Sequence, residues 1–81
     1  MAEIRAALVG ACGRMGSMLV KRIMSTEGIT VAAAFDLVRI GEDIGEVAGI
    51  GKIGVPVSDS KDLEKILKES KADVYIDFTI A

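Results

Sequence analysis

Three glycines and one aspartate carry the chemistry legible in this 81-residue chain. Gly10-Ala11-Cys12-Gly13-Arg14-Met15-Gly16 spaces its glycines as G-x-x-G-x-x-G, between an apolar run and an amphipathic one. Gly10 can make the tight turn out of a strand. Gly13, without a Cβ, lets the backbone approach a pyrophosphate at the positive end of a helix. Gly16 lets that helix pack close to the strand. Asp36 follows Gly16 by twenty residues, at the end of a second apolar run. There a carboxylate accepts hydrogen bonds from the ribose hydroxyls of an adenosine. The glycines alone would also suit a plain strand-to-helix turn, and an aspartate after a strand is common in turns. The order strand, glycine loop, helix, strand, acid is what points to a dinucleotide. No G-x-x-x-x-G-K-[ST] pattern is present, which disfavours a nucleoside triphosphatase.

Other residue types narrow the chemistry. Cys12 is the one cysteine and there is no histidine, so an intramolecular disulfide, a thiolate metal cluster and the usual zinc constellations are excluded. This usage suits a reducing compartment. Cys12 near a helix start has the placement of a reactive thiol, but without a histidine partner it reads as a small space-filling residue. Met15 and Met18, at helical spacing, read as core. Asp77, inside an otherwise apolar terminal strand, requires hydrogen-bond partners and reads as a loop anchor. Ten basic and twelve acidic residues give a net charge of −2 with no dense Lys/Arg cluster, against nucleic acid or a membrane surface as partner. The longest apolar runs fall far short of the roughly 20 residues of a membrane span, and Met1-Ala2-Glu3-Ile4-Arg5 lacks the basic region followed by an apolar stretch that marks a secretory signal. The cytoplasm is the expected location.

The elements that must position these groups follow from periodicity. With 51 % apolar residues and a mean hydropathy of +0.44, the chain folds, as one domain. A domain this small buries only about 60 % of the surface of its unfolded chain, so its stability is marginal. Ile-Arg-Ala-Ala-Leu-Val at residues 4–9 reads as a buried parallel strand. Met15, Met18, Leu19 and Ile23 predict an amphipathic helix over residues 14–26, ended near Gly28. Residues 29–35 form a second strand. Residues 41–54, with glycines at 41, 45, 49, 51 and 54, read as a long mobile loop. Val55-Pro56-Val57 suits a short edge strand. Side chains of residues 58–60 offer caps for a helix packed through Leu63, Ile66 and Leu67, and residues 73–78 close the chain as a third main strand. This alternation predicts an α/β, Rossmann-like parallel sheet, a partial dinucleotide-binding domain that is half of a doubly wound fold.

The residues also carry a resemblance. Val9-Gly10-Ala11-Cys12-Gly13-Arg14-Met15-Gly16 matches the loop V-x-G-x-x-G-R-M-G of the 4-hydroxy-tetrahydrodipicolinate reductase (dihydrodipicolinate reductase) family. Gly45-Glu46-Val47-Ala48-Gly49, Gly54-Val55 and Ile76-Asp77-Phe78-Thr79 match further segments of it, so nearly the whole chain resembles the family's amino-terminal domain. The resemblance implies a reduced nicotinamide cofactor, its pyrophosphate at Gly10, Ala11, Cys12, Gly13, Arg14 and Met15 and its adenosine ribose at Asp36. It further implies hydride transfer to a cyclic imine-type dicarboxylate in lysine (diaminopimelate) biosynthesis. That substrate lies on a second domain with a His-His and Lys motif, which also builds a homotetramer. Neither that domain nor the nicotinamide-side loop lies within residues 1–81, so the chain reads as a truncated cofactor domain, inactive alone. Some members place an arginine after the ribose acid to accept the 2′-phosphate of NADPH; here the position is Leu37, and Arg39 lies two residues on. NAD(H) is therefore favoured, with NADP(H) possible. A nucleotide-sensing module without catalysis is the alternative from a different class, and a reading frame continuing into the substrate motif would decide between them.

Overall fold

The computed structural model describes residues 3–77 as a four-stranded parallel sheet with helices on both faces. In chain order the elements are β1 (Ile4–Val9), α1 (Arg14–Met24), β2 (Ile29–Asp36), α2 (Ile44–Val47), β3 (Val57–Asp59), a 3₁₀ turn (Ser60–Asp62), α3 (Leu63–Ser70) and β4 (Val74–Asp77). The sheet order is β3-β2-β1-β4, with every pairing between these strands parallel. This is the Rossmann-like arrangement expected from the sequence. β1 and β2 sit at its centre, and β3 takes the edge anticipated around Pro56.

Alternation along the strands divides the core. Ala6 and Leu8 of β1, with Val31 and Ala34 of β2, pack against Val20 and Ile23 of α1 and against Ile44 and Ala48. Ala7, Val9, Ala33 and Phe35 face the opposite way, toward Leu63, Ile66 and Leu67 of α3. A register shift between Ala6 and Ala7 leaves Ala32 without a β1 partner. Such a bulge explains why Val31 and Ala33, two apart, serve opposite faces.

Four local expectations are corrected. The buried stripe of α1 is Gly16, Val20 and Ile23. Met15 and Met18 are 67 % and 64 % exposed. A Cβ on Gly16 would lie 2.5 to 2.7 Å from backbone atoms of Ala11, so the glycine, the least apolar residue of the stripe, is what faces inward. The helix also stops at Met24, before residue 26, because the hydroxyls of Ser25 and Thr26 donate to the Arg22 carbonyl at 3.0 and 2.6 Å. Gly28 then takes a left-handed φ of 88°, and its carbonyl accepts the Ile4 N–H at 2.8 Å.

Residues 41–54 are not a plain loop. Asp43 caps α2, whose Ile44 is fully buried. β3 begins at Val57, while Pro56 makes an isolated bridge to Asp43. Among the capping candidates at 58–60 it is Asp59 that accepts, from the Lys61 N–H at 2.9 Å. Phe78 and Thr79, the last residues of the motif matched above, lie outside the described residues.

Candidate functional site

The site is built where β1 and β2 end side by side. Gly10 and Ala11 both donate their N–H to the Phe35 carbonyl, at 2.8 and 3.2 Å, so the glycine loop leaves the sheet anchored to β2. Gly10 takes a φ of 78°, the left-handed turn out of the strand that its type allows. The Gly13 N–H closes the loop onto the Gly10 carbonyl at 3.2 Å.

Asp36 joins the two halves. Its Oδ2 accepts the Cys12 N–H at 2.9 Å and its Oδ1 accepts the Leu37 N–H at 2.7 Å. The ribose acid predicted from spacing thus also holds the middle of the glycine loop. A carboxylate offers about four lone-pair sites. Two accepted bonds leave capacity for a sugar hydroxyl on each oxygen.

Gly13 and Gly16 have opposite surroundings. Gly16 is buried against Ala11, as above. Gly13 is exposed, is extended (φ −73°, ψ 173°), and a Cβ there would meet only the Gly10 carbonyl, at 3.5 Å. The protein itself therefore has room for a Cβ at 13. Gly13 is the N-cap of α1 and offers no side-chain acceptor, so the first-turn N–H groups of Arg14, Met15 and Gly16 have no intrahelical partner. The positive end of α1 is open, beside a position bare of side chain. Arg14 and Met15 are exposed at this mouth.

The remaining sequence candidates are placed as follows. Cys12 is half-buried and its thiol donates to the Val38 carbonyl at 3.6 Å. Burial, reinforced by the Asp36 carboxylate, pushes the thiol pKa up to about 11. At neutral pH it is a protonated, inert filler, as its lack of a basic partner implied. Asp77 is exposed and accepts the Tyr75 hydroxyl at 3.4 Å. Leu37 is 70 % exposed, and Arg39 pairs with Glu42 at 3.2 Å.

Asp43 is the residue that sequence reasoning missed. It is 8 % exposed, yet its carboxylate accepts five backbone N–H groups. Oδ1 takes Gly45 (2.9 Å), Glu46 (3.3 Å) and Ile53 (2.9 Å); Oδ2 takes Gly54 (2.7 Å) and Val55 (3.2 Å). Burial alone would raise its pKa, but the donated hydrogen bonds of Ile53, Gly54, Gly45 and Glu46 win and hold it below the ordinary value. Gly45 is required because a Cβ would collide with the Gly51 carbonyl and approach Ile53 at 2.7 Å. The available signal was Asp43-x-x-Glu46, the spacing of a capping box.

With this geometry in place, comparison with known proteins is decisive for the family. The profile described as "Dihydrodipicolinate reductase, N-terminus" matches residues 4–81. The chain belongs to the dihydrodipicolinate reductase family. It is 54 % identical over 78 residues to a 4-hydroxy-tetrahydrodipicolinate reductase of Methanosarcina barkeri, covering 96 % of this chain and 30 % of that protein. The reductase of the same name from Methanococcoides burtonii is 53 % identical over 78 residues, and that from Methanocaldococcus jannaschii 52 % over 81, with the same coverages. The chain thus spans about 30 % of the length of the curated relatives it matches. Among the described residues no helix is long and apolar enough to cross a membrane.

Proposed function

We propose that this chain is the cofactor-binding part of a 4-hydroxy-tetrahydrodipicolinate reductase of lysine (diaminopimelate) biosynthesis. One observation carries the reading: Asp36 is hydrogen-bonded into a glycine loop whose Gly13 is open although the fold has room for a Cβ there. A bare, uncrowded position at an uncapped helix start fits a pyrophosphate. The Gly10, Ala11, Cys12 and Gly13 N–H groups are spent on holding the loop to β2, Asp36 and itself, so the loop shapes the approach at Gly13, the open first-turn N–H groups of Arg14 and Met15 bind that group, and Asp36 receives the adenosine ribose. When bound, the nicotinamide supplies a hydride. The residues of this chain bind and orient the dinucleotide, with the sheet fixing the loop and α1 directing its positive end. The dicarboxylate substrate and the contacts of a homotetramer belong to the rest of the protein, which works in the cytoplasm.

NADH is the preferred cofactor and NADPH is accepted. Asp36 welcomes an unmodified ribose but repels a 2′-phosphate, and exposed Leu37 supplies no cation to offset this. Leu37→Arg tests the point. It raises NADPH affinity by about 1.5–3 kcal/mol through charge-assisted hydrogen bonds to the phosphate and leaves NADH nearly unchanged. Calorimetric titration of both proteins with both nucleotides, at low and high salt, reads the effect. Tighter binding of NADPH than NADH by the unaltered protein would contradict the preference, and binding of neither would remove the cofactor reading itself.

A further inference from the structure

The turn after β2 carries a paired cation and anion, Arg39 and Glu42, three and six residues beyond Asp36. Arg39 adopts a left-handed conformation (φ 58°), and its carbonyl accepts the Glu42 N–H at 3.1 Å. The two side chains meet as a fork, Arg39 Nε to Glu42 Oε2 and Arg39 Nη2 to Glu42 Oε1, both at 3.2 Å. The turn is fixed independently of this pair. Gly41 donates its N–H to the Val57 carbonyl at 2.8 Å, and Val57 donates back to the Glu42 carbonyl at 2.7 Å. On its other side the Val38 carbonyl receives the Cys12 thiol, and the Cys12 N–H binds Asp36. The turn is therefore tied to the glycine loop, and the Arg39 and Glu42 charges both reach the Cys12 thiol with opposite sign.

We propose that Glu42 is a specificity-determining residue, which weakens recognition of a 2′-phosphorylated dinucleotide by holding Arg39 in an ion pair beside the ribose site. The inference rests on the dinucleotide reading above and adds a device to it. A 2′-phosphate placed next to Asp36 seeks a cation, and Arg39 is a guanidinium on the adjoining turn. While its fork is engaged by Glu42, a phosphate gains contact only by displacing a carboxylate that then adds its own repulsion. The pair is half-exposed, so it is a modest competitor. That sets the discrimination at a graded level. An unmodified ribose has no use for Arg39 and is indifferent to the pair.

Glu42→Gln is the direct test, because both hydrogen bonds that anchor residue 42 to the turn and to β3 use its backbone. NADH and NADPH dissociation constants are measured on the full chain for the unaltered protein, E42Q, R39A and the E42Q/R39A double variant. The expected result is a rise in NADPH affinity of about three- to tenfold in E42Q, diminished by salt, with NADH changed less than twofold. In the R39A background the same substitution loses most of this gain. If both nucleotides bind but E42Q leaves their ratio unchanged, or if the gain survives intact without Arg39, the inference is overturned while the cofactor reading stands. If neither nucleotide binds any of the four proteins, the cofactor reading falls and takes this inference with it.

Discussion

Gly13 and Gly16 stand three residues apart and answer to different constraints. At Gly16 the obstruction is the backbone of Ala11, which has no flexible end to swing aside. Gly16→Ala therefore overpacks the junction of loop and helix and costs roughly 1–3 kcal/mol. In a domain of this size that lowers the melting temperature by about 4–8 °C per kcal/mol. At Gly13 a Cβ meets nothing closer than 3.5 Å and φ is ordinary, so Gly13→Val is expected to change stability by about 1 kcal/mol or less. It nevertheless abolishes NADH binding, because the branched side chain occupies the approach to the pyrophosphate. Thermal melts with and without NADH separate the two: the Gly16 variant melts early, and the Gly13 variant melts normally but gains nothing from nucleotide. A Gly13 variant stabilised by NADH as strongly as the unaltered protein would take the glycine loop out of the site. At this scale the sequence was most informative, since Gly10, Gly16 and Asp36 occupy the turn, the packing contact and the strand end that their spacing implied.

At the scale of elements, the strands and the existence of α1 and α3 were legible because apolar runs and helical periodicity report burial directly. The orientation of α1 was not. Met15 and Met18 outweigh Gly16 on any scale of apolarity, yet close approach to Ala11 selects the glycine face, and the methionines are left exposed. Residues 41–54 likewise hold more structure than their composition suggests. Their five glycines suggest mobility, whereas the order comes from one carboxylate that collects five N–H groups across the segment. The Ile53 and Gly54 amides are accordingly protected from hydrogen exchange at pH 7, at a level nearer the strands than a free loop. The pH dependence follows from the lowered pKa of Asp43. Its contribution is complete above the ordinary carboxylate value of 3.8 and is lost as pH falls through the lower value of the folded protein. Asp43→Asn removes the charge at every pH and turns an amide donor toward donors, so Ile53 and Gly54 lose protection already at pH 7. Rapid exchange of both amides in the unaltered protein at pH 7 would contradict the clamp.

For the whole molecule, a four-stranded parallel sheet places every group of the candidate site at one end, where β1 and β2 finish and α1 begins. The glycine loop is held by the Phe35 carbonyl and by Asp36, both from β2, so the loop and Asp36 form one hydrogen-bonded piece rather than two segments assembled by ligand. Such preorganisation lowers the ordering cost of binding. In the proposed function a nicotinamide dinucleotide binds along this edge. Amide chemical-shift mapping during an NADH titration tests it most directly, because it reports every backbone N–H at once. Saturable shifts are expected, largest at Gly10, Gly13, Arg14, Met15 and Leu37, with the strand amides facing α3 and the Asp43 clamp nearly unmoved. Shifts centred on α3 or on residues 41–54, with the glycine loop unaffected at saturating NADH, would contradict it.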